Sequence, residues 1–301
     1  MIGIELQGRL GNQMFQYTAA RIQASRLQCG LVVKPRGGRK IALHNCIRKR
    51  LDFELFDAFP TLTFHPLSHL FSLFHSEHSQ SYQIVRNSIF KNAFVANCHI
   101  NNTDANNEAY DSGLWNIGPY TWLSGYFQSP LYFTGYEERI RDWFSASPDT
   151  VKEVQQRASD LLLQFDGMIA VHVRIGDYKQ QTGALADSHN GWCLTKDYYD
   201  KALSILPPGA PIALFSDDPN QAQHLLPRTP AWISTGNNAQ IDLHMISLFK
   251  YVVIANSTFS WWAAWLNQNS SPTIIAPKYF IGRQKRIWFP ADIRVNSWNY
   301  V

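Results

Sequence analysis

Residues 2–34, IGIELQGRLGNQMFQYTAARIQASRLQCGLVVK, decide the fold. Residues 2–6 are a short apolar run that reads as a strand, and 7–11 are a glycine-bearing turn. Over 12–28, Met14, Tyr17, Ala20 and Ala24 recur at helical spacing, Gly30 stops the helix, and 31–34 are extended. Strand, turn, helix, strand is the opening of an α/β protein. The second half repeats the alternation. Residues 168–175 are strand-like, and Thr195 stands where it would cap a helix running to Leu206 and ending at Pro207-Pro208. Strands over 211–215, 231–235, 251–255 and 273–276 alternate with a helical apolar face (Ile241, Met245, Leu248, Phe249) and a helix over 261–267. This spacing predicts a doubly wound parallel sheet with its ligand crevice at the strand carboxyl ends. Ser145-Ala146-Ser147-Pro148, followed by a helical 149–163, sets a domain boundary near 150. The expected architecture is two α/β units, 1–150 and 151–301, facing a cleft. Residues 36–115 hold a basic turn (36–40), scattered aromatics and an Asn-rich stretch (101–107), and read as loops with short elements.

Composition narrows the function classes. The chain has 301 residues, 45% apolar and 14% aromatic, which excludes disorder and leaves material for a large core. Its net charge of +4 is too small for a nucleic-acid footprint and fits anionic small molecules or peripheral membrane contact. Cys29, Cys46, Cys98 and Cys193 are far apart and read as reduced buried thiols, not as a zinc or disulfide framework. Gln7, Arg9 and Asn12 interrupt any signal-peptide pattern, and the apolar run 251–266 is too short and polar to span a bilayer. The expected location is the cytoplasm.

Three segments carry chemistry. In His172-Val173-Arg174-Ile175-Gly176-Asp177-Tyr178, residues two apart on a strand share a face, so His172 and Arg174 point one way and Val171, Val173 and Ile175 the other. An arginine fork beside a histidine at a strand's carboxyl end suits phosphate, although Arg174 could equally form a structural pair with Asp177. Gly8-Arg9-Leu10-Gly11-Asn12-Gln13 lies between strand and helix, where backbone amides favour anions or sugar oxygens; the plain alternative is a tight turn. Asn256-Ser257-Thr258-Phe259-Ser260-Trp261-Trp262 repeats that junction, and an N-cap over an aromatic core explains it nearly as well. Asp217-Asp218 either holds a divalent metal or caps the next helix. His65, His69, His75 and His78 could place two nitrogens on one helical face, without a carboxylate or cysteine motif beside them. Trp115, Tyr120, Trp122, Tyr126 and Phe127 would suit a stacking platform in a non-catalytic sugar-binding module.

Taken in order along the chain, these segments resemble an α-1,2-fucosyltransferase of glycosyltransferase family 11. The likeness rests on residues 8–17 (GRLGNQMFQY), 125–129 (GYFQS), His172-x-Arg174-x-Gly176-Asp177-Tyr178, Phe215-Ser216-Asp217-Asp218 and 256–262 (NSTFSWW). The resemblance implies a GT-B-type fold of two Rossmann-like domains, an acceptor side over 1–150 and a donor-binding side over 151–301. It implies GDP-β-L-fucose as donor, a galactose-terminated oligosaccharide or lipid-linked glycan as acceptor, inversion at the fucose anomeric carbon, and no metal or other cofactor. By the same resemblance Arg174 binds the pyrophosphate, His172 and Asp242 hold guanine, and Ser257, Thr258 and Ser260 approach the phosphates. Gly11 and Asn12 line the donor site, Trp122, Tyr126 and Gln128 the acceptor site, and Asp177 is the nearest motif carboxylate to serve as base. One departure is Ile175, where many members carry a second arginine. A fucosyltransferase of another linkage, α-1,6 or protein O-fucosylation, shares the His-x-Arg strand.

Overall fold

The computed structural model describes residues 1–35, 54–65, 96–99, 109–159, 161, 167–183, 185–236 and 239–301. The basic turn, the Asn-rich stretch, Cys46, His69, His75 and His78 lie outside the described residues. Chain packing divides the protein into Met1–Ser145 and Ala146–Val301.

The first unit runs β1 (Ile2–Leu6), α1 (Leu10–Arg26), β2 (Leu31–Pro35), α2 (Glu54–Ala58), β3 (Ala96–His99), β4 (Thr121–Ser124) and α3 (Glu137–Trp143). Its parallel sheet has the order β2-β1-β4-β3, with Ile2 registered against Leu31 on one side and Thr121 on the other. Helix α1 buries Met14, Phe15, Tyr17 and Ala20, and Phe15 stacks on Phe133 with centroids 5.7 Å apart. Burial of a side chain the size of Met14 or Phe15 contributes about 1.5–3 kcal/mol. α1 begins two residues before the sequence pattern suggests. The Leu10 amide is met there by the Glu54 carboxylate at 2.8 Å, from a segment 44 residues away.

The second unit runs α4 (Pro148–Arg157), β5 (Ile169–Val173), α5 (Lys196–Ser204), β6 (Ile212–Ser216), α6 (Pro219–Ala222), β7 (Trp232–Ile233), α7 (Ala239–Ile246), β8 (Tyr251–Val253), α8 (Thr258–Trp265), β9 (Thr273–Ala276) and β10 (Asn299–Tyr300). All neighbours are parallel in the order β10-β9-β8-β5-β6-β7. Val171, Val173 and Ile175 pack with Tyr198, Tyr199 and Leu214 in one buried cluster. On α8, Trp261 lies 5.2 Å from Trp262 and 5.5 Å from Trp298, and Trp262 lies 5.5 Å from Trp265. The Trp261 indole N–H donates to the Ile293 carbonyl at 2.8 Å.

Several expected boundaries move. α4 stops at Arg157, well short of 163. α5 ends at Ser204, before the two prolines. Thr195 occupies the N-cap position, but its hydroxyl accepts from Arg283 at 2.8 Å and does not cap the helix. β5 ends at Val173, and two residues on the Ile175 amide donates to the Asp217 carboxylate at 2.9 Å in place of a neighbouring strand. Asp218 does cap, accepting the Gln221 amide at 3.0 Å at the start of α6.

Candidate active site

In each sheet the chain reverses its direction of winding beside the first strand of the unit. Adjacent crossovers leave toward opposite faces there, and a crevice opens at the strand carboxyl ends. In the second unit the chain passes from β5 outward through β6 and β7, then returns to place β8 on the other side of β5. The reversal therefore lies between β5 and β8. The residues that follow these two strands are Arg174 to Tyr178 and Asn256 to Ser260, two of the three chemistry-bearing segments.

Arg174 leaves the end of β5 with its side chain only 15% exposed. Its Nη2 meets Asp177 Oδ1 at 2.5 Å and its Nη1 meets Asp217 Oδ2 at 3.2 Å. The guanidinium also stands over the Tyr178 ring, 5.5 Å from its centroid. Tyr178 donates its hydroxyl to the Asn256 carbonyl at 3.0 Å and so joins the β5 end to the β8 end. Asn256 in turn donates its side-chain amide to the Trp192 carbonyl at 2.9 Å. Asp217 reaches the site from the turn after β6, and a Cβ on Gly176 would run into its Oδ2. The absence of a side chain at 176 is thus a condition of the Arg174–Asp217 pair.

His172 lies inside β5, buried, with its ring 5.3 Å from that of Phe259 at the start of α8. Burial, and then the Arg174 charge, push its pKa down to about 3. Its ring is neutral at ordinary pH, and among the described residues its Nδ1 has no hydrogen-bond partner. A neutral imidazole held this way can donate or accept but does not add charge. Asp242, in the first turn of α7, accepts the Ser234 hydroxyl at 2.6 Å from the end of β7. At the α8 start, Ser257 is the N-cap residue with no side-chain capping bond. Thr258 is half-buried, and Ser260 turns its hydroxyl back onto the Ala255 and Ser257 carbonyls at 3.3 and 3.2 Å.

The first unit shows the same construction. β1 and β4 flank its winding reversal, and they are followed by residues 8–13 and 125–129. Asn12 Oδ1 accepts the Gln128 side-chain amide at 3.0 Å across that point. Gln16, fully buried on α1, accepts the Gln7 amide at 2.9 Å and donates to the Gly125 carbonyl at 3.1 Å, tying the two loops to the helix. Gln13 donates to the Gly8 carbonyl at 2.9 Å and accepts the Leu55 amide at 3.1 Å. The anion at the α1 start, expected from outside, is the protein's own Glu54, which also pairs with Arg9 at 3.6 Å. Gly11 is buried in the first turn of α1, Tyr126 is half-buried, and Trp122 and Phe127 belong to the core. The five-ring stacking platform is therefore not formed as one surface.

Sequence reasoning missed Asp217 as a partner of Arg174, Gln16 and Glu54. Only the Ser-Asp-Asp turn after a strand marked the first. Among the described residues no group of three or more His, Cys, Asp or Glu stands where it could hold a metal ion.

A model of Glycosyl transferase family 11 matches residues 68–301. The O-antigen biosynthesis glycosyltransferase WbnK of Escherichia coli is 27% identical over 320 residues, covering 97% of this chain and 98% of that one. An alpha-1,2-colitosyltransferase of Escherichia coli is 26% identical over 289 residues, covering 93% and 92%. Among solved structures, the fucosyltransferase NodZ from Bradyrhizobium aligns at TM-score 0.47 and 15% identity over 91% of this chain and 94% of its own. POFUT1 in complex with GDP aligns at TM-score 0.47 and 15% identity over 91% and 96%.

Proposed function

Because the chain belongs to glycosyl transferase family 11, we propose that it is an inverting α-1,2-fucosyltransferase. It moves L-fucose from GDP-β-L-fucose to the 2-hydroxyl of a terminal galactose, on an oligosaccharide or lipid-linked glycan of an O-antigen or other surface polysaccharide. The observation that carries this reading is Arg174, a shielded guanidinium at the β5–β8 winding reversal, beside the neutral His172 and the start of α8. The names of the two E. coli relatives support the polysaccharide setting and the α-1,2 linkage.

In this reading the second unit takes the donor and the first the acceptor. Asp242 and His172 recognise guanine. Arg174, with the Ser257 and Thr258 amides at the α8 start, meets the pyrophosphate; Ser260 holds that turn in shape through its own backbone bonds. As the anomeric C–O bond breaks, its electron pair passes to the β-phosphate oxygen, and Arg174 stabilises the charge that develops there. The acceptor 2-hydroxyl gives its proton to a carboxylate, for which Asp177 is the candidate, as its oxygen bonds to the anomeric carbon from the opposite face. Gly11 and Asn12 border the donor and Tyr126 and Gln128 the acceptor, while Trp122 belongs to the core. The charge stabilisation is supplied by arginine and helix amides, so the reaction as proposed needs no metal, and Ile175 leaves it a single motif arginine. In this reading the reaction runs in the cytoplasm, with peripheral contact to a membrane-borne acceptor. No helix of the described residues is long and apolar enough to cross a membrane.

The test is product analysis with GDP-fucose and a panel of β-galactosides, in buffer containing EDTA. An α-1,2-fucosylated product is expected. Transfer to another position, turnover only after manganese or magnesium is restored, or transfer from a colitosyl donor alone would each overturn the corresponding part.

A further inference from the structure

We propose that the two carboxylates on Arg174 do different jobs. Asp217 is a positioning residue that keeps the guanidinium aimed, and Asp177 is an exchangeable counter-ion that fills the anion seat until a donor phosphate replaces it. This rests on the reading of Arg174 as the pyrophosphate ligand.

The asymmetry lies in how each carboxylate is held. Asp217 is anchored twice: Oδ1 accepts the Ile175 amide at 2.9 Å, and Oδ2 faces Arg174 Nη1 at 3.2 Å. It follows directly on β6, the strand next to β5, where Val173 registers with Ser216, and its side chain is three-quarters covered. Moving it would break a backbone bond that shapes the end of β5. Asp177 sits on a single turn of 3-10 helix, Gly176–Gln180, with its side chain 49% exposed. Among the described residues its carboxylate makes one hydrogen bond, accepted from Arg174 Nη2 at 2.5 Å. Rotation of that side chain into water breaks no backbone contact.

Charge makes the exchange necessary. One guanidinium and two carboxylates sum to −1, so a diphosphate approaching Arg174 meets net repulsion while Asp177 is seated. Each terminal nitrogen of Arg174 meets one carboxylate, so the guanidinium charge is already more than balanced, and seating a phosphate on the same fork is favoured by releasing one of the two acids. The exposed, singly held Asp177 is the one that can leave. Once displaced, the same carboxylate is free to take a proton, which makes its availability depend on prior binding of the donor.

Calorimetric binding of GDP to five proteins tests this: wild type, Asp177→Asn, Asp217→Asn, Gly176→Ala and Arg174→Ala. Asp177→Asn is expected to bind GDP about tenfold more tightly at low salt, the worth of removing one like charge near the phosphates, with the gain shrinking as salt screens it. Its turnover is expected to fall, opposite in direction to its affinity. Asp217→Asn keeps the acceptor for Ile175 but loses the charge, and it is expected to weaken GDP binding severalfold and to lower kcat. Gly176→Ala, which pushes Asp217 off Arg174 without altering either acid, should reproduce that loss if Asp217→Asn does not fold. Unchanged or weaker GDP binding in Asp177→Asn overturns the exchange. Wild-type GDP affinity in both Asp217→Asn and Gly176→Ala overturns the positioning role. Wild-type affinity in Arg174→Ala overturns instead the reading on which both rest.

Discussion

Gln16→Met removes two hydrogen bonds and keeps the shape of the side chain. In the native protein the fully buried amide of Gln16 accepts the Gln7 N–H at 2.9 Å and donates to the Gly125 carbonyl at 3.1 Å. The substitution leaves both backbone groups facing a thioether. An unsatisfied buried polar group costs about 1–3 kcal/mol. Gln7 and Gly125 are half-buried, so each sits near the lower half of that range and the sum is about 3 kcal/mol. For a unit of this size that corresponds to a fall in melting temperature of roughly 6–12 °C. A local effect accompanies the global one. The loops after β1 and β4 lose their common tie, the Asn12–Gln128 bond at 3.0 Å loses its frame, and KM for the acceptor rises more than KM for the donor. Calorimetric melts and initial rates at varied acceptor concentration read both. Gln16→Glu, which can still accept but no longer donate, should show the same pattern. A melting temperature within about 1 °C of wild type would refute the reasoning, because it would mean that water replaces both bonds without cost.

Two further outcomes follow from single groups. Burial, with Arg174 adding to it, lowers the His172 pKa to about 3, and burial lowers that of His244 to about 4. In the unfolded chain both titrate near 6.5, so below that pH the unfolded state binds protons that the native state refuses. Their contribution to stability is therefore present above about pH 6.5 and is lost as the pH falls toward 4, by up to ~1.4 kcal/mol per pH unit for each. Urea melts from pH 7.5 to 5 should show the decline, with a shallower one for His244→Asn; a flat profile contradicts the burial argument. Asp242→Asn should narrow the preference for GDP over ADP about tenfold, since the amide no longer accepts from both guanine donors. A lower melting temperature with an unchanged GDP-to-ADP ratio would leave Asp242 only its bond to Ser234.

The alternation of elements in residues 2–34 and in the second half was legible because apolar runs and the glycines, prolines and polar turns that end them announce themselves locally. β4 was not. Four residues, Thr121 to Ser124, carry no period, and their partner β1 lies about 120 residues earlier. The ends of elements were misplaced for a related reason. Thr195 has the chemistry of a cap, yet Arg283 reaches its hydroxyl from 88 residues away. Nothing local tells a strand to stop at Val173 when Asp217 takes the amide two residues on. At the site, Arg174 and His172 could be picked out because their residue types are unusual at the end of an apolar strand. Asp217 and Glu54 act through space on backbone amides, a role that any acidic residue could fill and that no spacing encodes.

The indoles of α8 have an optical consequence. Rings 5.2–6.3 Å apart, held at fixed angles, exchange excitation faster than they emit and couple their transitions into shared states. The emission of Trp261, Trp262, Trp265 and Trp298 is therefore one collective signal, and the rigid stagger of the rings gives it a handed near-ultraviolet dichroism. The helix that carries three of them begins at the β5–β8 crevice, and a hydrogen bond to Ile293 anchors it from below. A ligand that shifted the α8 start would turn rings within this set, so a GDP titration followed by near-ultraviolet dichroism would read such a shift without a label.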